Sequence, residues 1–307
     1  MRILVTGAAG RMARTFVEVL QQAGHEVVGL DRRSWAGAPA TMYQVDLLKR
    51  AAEDVFRETA PEVVVHSASV TQLAQDRGDR YRVNLVGTKA VFDYCRRYHV
   101  RQTIFVGRHT YYGATSDAPL YHVEDDPPLG LETFPELADL VAADLFSGSM
   151  LWRAPEMTTA VLRFVYTLGP SRTGTLADFL GGARVPMVLG FDPLFQFMHE
   201  RDAGAALSVA IERRLNGVFN VAGPSPLPLS ALIRNSRRPR VVLPEPLLRA
   251  SLGRFGLPRL QRSAVDHIKY SLVVDDTAFR NATQFAPRHG QLDTIRDFAE
   301  SAPPDRI

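Results

Sequence analysis

Arg2-Ile3-Leu4-Val5-Thr6-Gly7-Ala8-Ala9-Gly10-Arg11-Met12-Ala13 is the stretch whose reading decides the fold. The apolar run Ile3 to Val5 reads as a buried strand, and Thr6-Gly7 leads it straight into a helical pattern carrying Phe16, Val17 and Leu20. Gly7 permits a tight turn. Gly10 lets the backbone approach a pyrophosphate, whose charge the first amides of the new helix can hold, so Gly7, Ala9, Gly10, Arg11 and Met12 are candidate nucleotide contacts. Ala13 fills the third place of the G-x-x-G-x-x-G spacing with a residue small enough for close helix–strand packing. A glycine turn alone can be purely structural. Here it opens a β-α-β unit whose second strand, Glu26 to Leu30, ends in Asp31, an acid able to accept both hydroxyls of an adenosine ribose. Arg32 and Arg33 follow it and can bind a 2′-phosphate, so NAD is preferred and NADP is the alternative.

The remaining strands alternate with helices. Met42 to Val45 reads as a third strand leading to Asp46-Leu47, which either contacts an adenine ring or caps the helix at Leu48 to Thr59. Val63 to His66 is a fourth strand running into the small residues Ser67-Ala68-Ser69. A long helix is expected over Tyr81 to His99, a fifth strand over Thr103 to Val106, a loop over Gly107 to Phe134, a helix over Pro135 to Trp152 and a sixth strand over Thr159 to Phe164. This spacing specifies an α/β fold, a doubly wound parallel sheet with ligands at the C-terminal ends of the strands. His66, Ser67, Ala68, Asn84, Val106 and Phe164 complete the candidate cofactor contacts. Residues 1–170 form the expected dinucleotide-binding domain and 171–307 a smaller substrate-binding lobe, with 203–221 able to return to the first sheet.

Of 307 residues 46% are hydrophobic, enough for one large core or a core with a smaller lobe. The formal charge is +3, but the basic residues are scattered, which speaks against nucleic acid as a partner. Only Lys49, Lys89 and Lys269 are lysines, and the single Cys95 lies in an apolar stretch that suggests a buried thiol. The chain opens on its first strand without a signal peptide, and no apolar run approaches the roughly 20 residues of a bilayer span, so a cytoplasmic protein without a membrane partner is expected.

Together these segments resemble the extended short-chain dehydrogenase/reductase family, in its epimerase and dehydratase branch, which often acts on nucleotide sugars. The resemblance rests on Thr6 to Gly10, Gly24 to Asp31, Asp46-Leu47, His66 to Ala68, Asn84 with Gly87-Thr88, Tyr112-Gly113, Leu162-Arg163-Phe164, Gly169-Pro170 and Gly217 to Val221. It implies a Rossmann sheet, a bound nicotinamide cofactor, a small-molecule substrate and a homodimer built on the helices at Tyr81–His99 and Pro135–Trp152.

The departures from the family are as informative. Members usually carry a Tyr-x-x-x-Lys pair at the start of the helix matching Pro135–Trp152, the lysine lowering the pKa of the acid/base tyrosine. Counting back from Val141-Ala142-Ala143-Asp144, those places hold Glu136 and Leu140, and no tyrosine of this chain has lysine four residues later. The family's catalytic hydroxyl after the fifth strand is matched by Arg108 or His109, with Thr110 the nearest hydroxyl. Replacement chemistry can come from Glu136 as general base, His109 as proton carrier, Arg108 as anion clamp and Tyr111 as phenol. Each also has a bland reading: Glu136 can merely stabilise a first helical turn, Arg108 and His109 can be loop residues, and one of Tyr111 and Tyr112 can be core. Tyr112, Phe195, Gln196, Phe197 and His199 are candidates for a partly apolar substrate pocket, with a nucleotide sugar or a partly apolar metabolite as ligand. His199-Glu200 has no second histidine at helical spacing, and no metal site is expected. Three activities remain open: a repurposed small-molecule enzyme, a non-catalytic nucleotide-binding regulator, and an oxidoreductase with a non-standard acid/base set.

Overall fold

In the computed structural model, which describes residues 1–71, 77–258, 260–261 and 263–301, the opening segment is β1 (Arg2–Thr6) followed by α1 (Arg11–Gln22) and β2 (Glu26–Asp31). There follow β3 (Thr41–Gln44), α2 (Arg50–Thr59), β4 (Val63–His66), α3 (Arg77–Tyr81), α4 (Thr88–Arg97), β5 (Gln102–Arg108), α5 (Gly130–Thr133), α6 (Ala138–Arg153) and β6 (Thr158–Phe164). Beyond them come β7 (Tyr166–Leu168), α7 (Thr175–Leu180), β8 (Val185–Val188), β9 (Leu194–Phe195), β10 (Phe197–His199), α8 (Glu200–Glu212) and β11 (Gly217–Val221). The chain closes with β12 (Leu227–Pro228), α9 (Leu229–Asn235), β13 (Arg240–Leu243), α10 (Glu245–Ser251), α11 (Thr277–Thr283) and α12 (Gln291–Glu300).

Seven strands form one parallel sheet in the order β11-β6-β5-β4-β1-β2-β3. The order reverses between β1 and β4, which opens a crevice at their C-terminal ends, the place where such sheets bind ligands. The Val/Ile/Leu runs are buried along β1 and throughout β4 because helices cover both faces of the sheet. On α1, Ala13, Phe16, Val17 and Leu20 make the buried stripe. Gly204 brings α8 close to α1: a Cβ there would lie 2.8 Å from a Val19 methyl. Strand β11 pairs with β6 in register Gly217↔Ala160 to Val221↔Phe164, so 200–221 adds a helix and a strand to the Rossmann layer.

A second core joins Leu176, Phe179, Leu180, Phe195, Phe197, Leu229, Leu232, Ile295 and Phe298. Its strands pair only two by two, β8 with β13, β9 with β12 and β7 with β10. Arg172 ties α12 to this lobe by donating to the Phe298 and Ser301 carbonyls at 3.0 and 3.2 Å while its guanidinium covers the Phe298 ring.

Three element boundaries differ from the sequence expectation. The long helix expected at Tyr81–His99 starts earlier, at Arg77, and contains a π-helical segment, Arg82–Gly87, before α4. The wider turn carries Asn84, whose side chain bonds the backbone of Val70 rather than its own helix. The helix expected from Pro135 begins as a 3-10 turn, Pro135–Leu137, with α6 proper starting at Ala138. Finally, β5 runs to Arg108, and the segment expected as loop holds a 3-10 turn, His109–Tyr112, and α5.

Candidate functional site

Backbone geometry builds the first part of the site. Gly7 has φ +73°, and a Cβ there would stand 2.5 Å from the Ala68 Cα, so the turn after β1 closes directly against the turn after β4. Only glycine satisfies both demands. The Gly7 amide donates to the Leu30 carbonyl at 2.7 Å and the Gly10 amide to the Gly7 carbonyl at 2.8 Å. Helix α1 then starts with no side-chain cap and no acidic residue in its first turn. Its first amides, from Arg11 and Met12 onward, are left for an anion, which is what a pyrophosphate supplies. This cradle, with the Ser67-Ala68 turn pressed against it, fits a dinucleotide.

Asp31 ends β2 buried. It accepts from the Ala9 amide at 3.1 Å, and Arg33 grips it with its backbone amide at 2.8 Å and its guanidinium at 3.1 and 3.0 Å. Arg33 is itself 59% exposed. Arg32 is exposed beside it. Asp46 accepts from the Leu48 amide at 2.9 Å, and Leu47 is buried.

His66 closes the crevice. Its Nδ1 lies 2.7 Å from the Thr6 hydroxyl and its Nε2 2.9 Å from that of Thr88, which in turn donates to the Asn84 carbonyl. The chain of donors makes Nε2 the protonated nitrogen, and burial pushes the imidazole down to about 3. His66 is therefore a neutral tie between β1, β4 and α4. Asn84 accepts from the Val70 amide at 2.7 Å and donates to the Val70 carbonyl and to Asp139, at 3.0 and 2.7 Å. It thereby fixes the segment after Ser69 against α6.

At the ends of β4 and β5 lies a cavity. His66 to Ser69, Phe105 to Arg108, Thr110 and Tyr111 form one wall, and Leu137, Leu140, Val141 and Asp144 the other. His66, Ser67, Ala68, Val106, Arg108, Thr110 and Tyr111 from the expected set are thus brought together, with the apolar Leu140 at the place matching the family's lysine. The other expected residues lie elsewhere. Glu136 is outside the lining, its carboxylate accepting from the Ser263 hydroxyl at 2.7 Å. His109 is buried behind the wall, where Nδ1 donates to the Phe164 carbonyl at 3.2 Å and the ring edge meets Tyr166 at 4.4 Å. Burial pushes it to about 3, neutral at pH 7.

Tyr112 is wholly buried: it donates to Asn220 Oδ1 at 2.7 Å and stacks on His122. Phe164 packs on Phe16 within the Rossmann core. In the second lobe Phe195 stacks on Phe179, and Phe197 is 1% exposed in the same core. Gln196 exchanges bonds of 3.1 and 2.8 Å with the backbone of Val274. His199 caps α8 by accepting from the Arg201 amide and stacks on His289 at 3.9 Å. These four side chains hold the lobe together rather than facing the cavity.

Two residues singled out in the sequence only as landmarks prove central. Arg163 and Asp144, each 4% exposed, pair at 2.8 Å, and the guanidinium lies 3.5 Å over the Tyr111 ring while donating to the Tyr112 hydroxyl at 2.9 Å. Burial raises the Asp144 carboxyl, opposed by Arg163. Burial likewise raises the Tyr111 phenol, again opposed by Arg163. Pairing an arginine with an acid nineteen residues earlier in the chain needs the fold; no spacing rule reveals it. Among the described residues no group of three His, Cys, Asp or Glu could hold a metal ion, and no helix is long and apolar enough to cross a membrane.

A glycine-turn cradle, an acid ending β2 and a cavity at the ends of β4 and β5 define a dinucleotide-binding Rossmann protein with a second lobe. Residues 3–222 match the NAD dependent epimerase/dehydratase family, and the chain belongs to it. A UDP-glucose 4-epimerase of Bacillus subtilis (strain 168) is 30% identical over 200 residues, 58% of this chain and 56% of that protein. A 3-diazoavenalumate denitrifying reductase of Streptomyces sp is 27% identical over 281 residues, 85% and 87% of the two chains. Among solved structures, MoeE5 in complex with UDP-glucuronic acid and NAD superposes with a TM-score of 0.78 at 21% identity, covering 98% of each chain. The UDP-glucose 4-epimerase of Thermus thermophilus complexed with NAD does so with 0.76 at 22%, again over 98% of both. These two show the shared fold.

Proposed function

We propose that this chain is an NAD-dependent enzyme acting on a small organic molecule, with the nucleotide on the Gly7 turn and chemistry that dispenses with the Tyr-x-x-x-Lys pair. The observation that carries it is the cavity at the ends of β4 and β5, contiguous with the His66-Ser67-Ala68 turn that presses on Gly7. When bound there, NAD supplies a hydride acceptor or donor. The protein's own part follows from its lining. Arg108 offers positive charge, Thr110 and Tyr111 offer hydroxyls, and Phe105, Leu137, Leu140 and Val141 exclude water. Tyr111 is the acid/base: burial raises its phenol, and the Arg163 guanidinium against its ring opposes that rise. Glu136 and His109 serve as structural ties, and Asn84 orients the cavity's mouth. The substrate class is left wider than nucleotide sugars, because the relative aligning over 85% of this chain is named as a reductase of another kind of molecule.

The test has two parts. Protein purified without added nucleotide is denatured and the released molecule identified by mass spectrometry, with titration of NAD and NADP into nucleotide-free protein beside it. NAD released or bound supports the reading; neither nucleotide bound removes it. Once a substrate is in hand, Tyr111→Phe is expected to lower kcat by about 100-fold or more, as loss of an acid/base group does, with NAD affinity unchanged, whereas Glu136→Gln keeps most turnover. The opposite ranking would move the acid/base role to Glu136. A family-type homodimer through α4 and α6 is part of the same proposal, and the exposed Trp152, Leu145 and Val86 on and next to those helices suit a buried partner face.

A further inference from the structure

Among the described residues, the buried or cavity-lining arginines have partners, with one exception. Arg163 has Asp144, Arg80 has Asp139 at 3.7 Å, and Arg172 has the carbonyls ending α12. Arg108, the last residue of β5, lines the cavity, and among the described residues it has neither an ion pair nor a hydrogen bond. Burial lowers its pKa, and Tyr166 opposes that shift. Its guanidinium is partly exposed at the cavity wall and is left free to pair with a ligand that enters there.

What completes it follows from the rest of the wall. Among the described residues the other charged lining group, Asp144, is paired with Arg163, which leaves the Arg108 charge unmatched. No lysine lines it. Thr110 and Ser69 add hydroxyls, and the opposite wall of Leu137, Leu140 and Val141 is apolar. One guanidinium fork matches a planar carboxylate in charge and shape, whereas a phosphate dianion would remain half neutralised. The wall of Leu137, Leu140 and Val141 facing Arg108 suits a ligand with an apolar body.

We infer that the substrate is a small organic carboxylate with an apolar body, its carboxylate seated on Arg108 beside the nicotinamide. The inference rests on the proposed NAD-dependent reading and narrows it to one substrate class. It makes Arg108 a specificity-determining residue.

Benzoate and its neutral isostere benzamide serve as probes, titrated calorimetrically into protein preloaded with NAD, for wild type, Arg108→Lys and Arg108→Gln, after thermal melting has shown each to be folded. Benzoate is expected to bind wild type about tenfold or more tightly than benzamide, the advantage of a charge-assisted pair. Arg108→Lys keeps part of that preference and Arg108→Gln loses it, with NAD affinity unchanged in both. NAD bound with no preference for the acid overturns this inference alone, whether the probes bind equally or not at all. A tenfold loss of NAD affinity in Arg108→Gln overturns it too, because the guanidinium would then serve the nucleotide. A wild type that takes no NAD overturns the underlying reading together with the inference. If Arg108→Gln does not fold, the acid-to-amide ratio in wild type and Arg108→Lys decides.

Discussion

The Gly7 turn and the cavity at the end of β5 lie on the same edge of one sheet but are made of different material. The turn is backbone: a φ of +73°, a contact with Ala68 that leaves no room for a Cβ, and helix amides without a cap. The cavity is side chain: Arg108, Thr110 and Tyr111 facing Leu137, Leu140 and Val141. Backbone sites tolerate almost no exchange at their glycines and serve any ligand with the right phosphates. Side-chain sites can be rebuilt residue by residue while the fold stands, which is how the proposed function combines a family seat for the nucleotide with a changed reaction end.

Four substitutions or conditions probe this contrast, in order of expected size. Arg163→Ala leaves Asp144 buried without its partner and should destabilise the protein by about 3–5 kcal/mol, read from urea denaturation midpoints. A double exchange, Arg163→Met with Asp144→Leu, should recover much of that loss; no recovery would show that the pair matters through the Tyr111 and Tyr112 contacts instead. Gly7→Ala should cost about 1–3 kcal/mol in backbone strain and abolish NAD binding, whereas Arg108→Gln should leave NAD binding intact. Equal effects of the two on nucleotide affinity would erase the distinction between the regions.

The third concerns pH. Burial holds His66 and His109 at about 3 and His267 at about 4, against 6.5 for a free imidazole. All three are neutral in the fold, so below pH 6.5 the unfolded chain takes up protons that the native one does not. Stability is complete above that pH and falls as pH drops toward 4, by up to about 1.4 kcal/mol per unit for each group. His109→Gln should flatten the slope by about one proton, measured as denaturation midpoint against pH; an unchanged slope would mean that the imidazole is already solvated. The smallest effect is at the seat's rim. Arg33→Ala frees the Asp31 carboxylate and should change NAD affinity by only about two- to fivefold, upward, because the released ion pair is half exposed.

The sheet was legible because parallel strands covered on both faces must be continuous apolar runs, as Ile3 to Val5 and Val63 to Val65 are, and because the helices between them carry a 3.6-residue stripe. The nucleotide seat was legible for the same local reason: turn, glycine and strand-end acid lie within thirty residues. Side-chain direction was not. His109 and Arg108 are neighbours, yet one lies behind the wall and the other on it, because β5 ends at Arg108 and the chain turns into the 3-10 segment that opens with His109. Glu136 stands where the family's tyrosine would, but Ser263 of the second lobe takes its carboxylate. Phe195 and Phe197 read as ligand contacts from the resemblance to the family's second lobe, and they pack in that lobe's core with Phe179, Leu229 and Phe298. Arg163 with Asp144 joins β6 to α6 and belongs to no local pattern.

The most direct test of this account is a calorimetric titration of NAD into the wild type and into the Arg108→Gln, Tyr111→Phe double variant, each shown to be folded. Affinities agreeing within about twofold are the predicted result, since the seat is backbone and the exchanged side chains belong to the reaction end. A double variant that no longer binds NAD, or a wild type that never does, would contradict the separation of the two regions on which the proposed function stands.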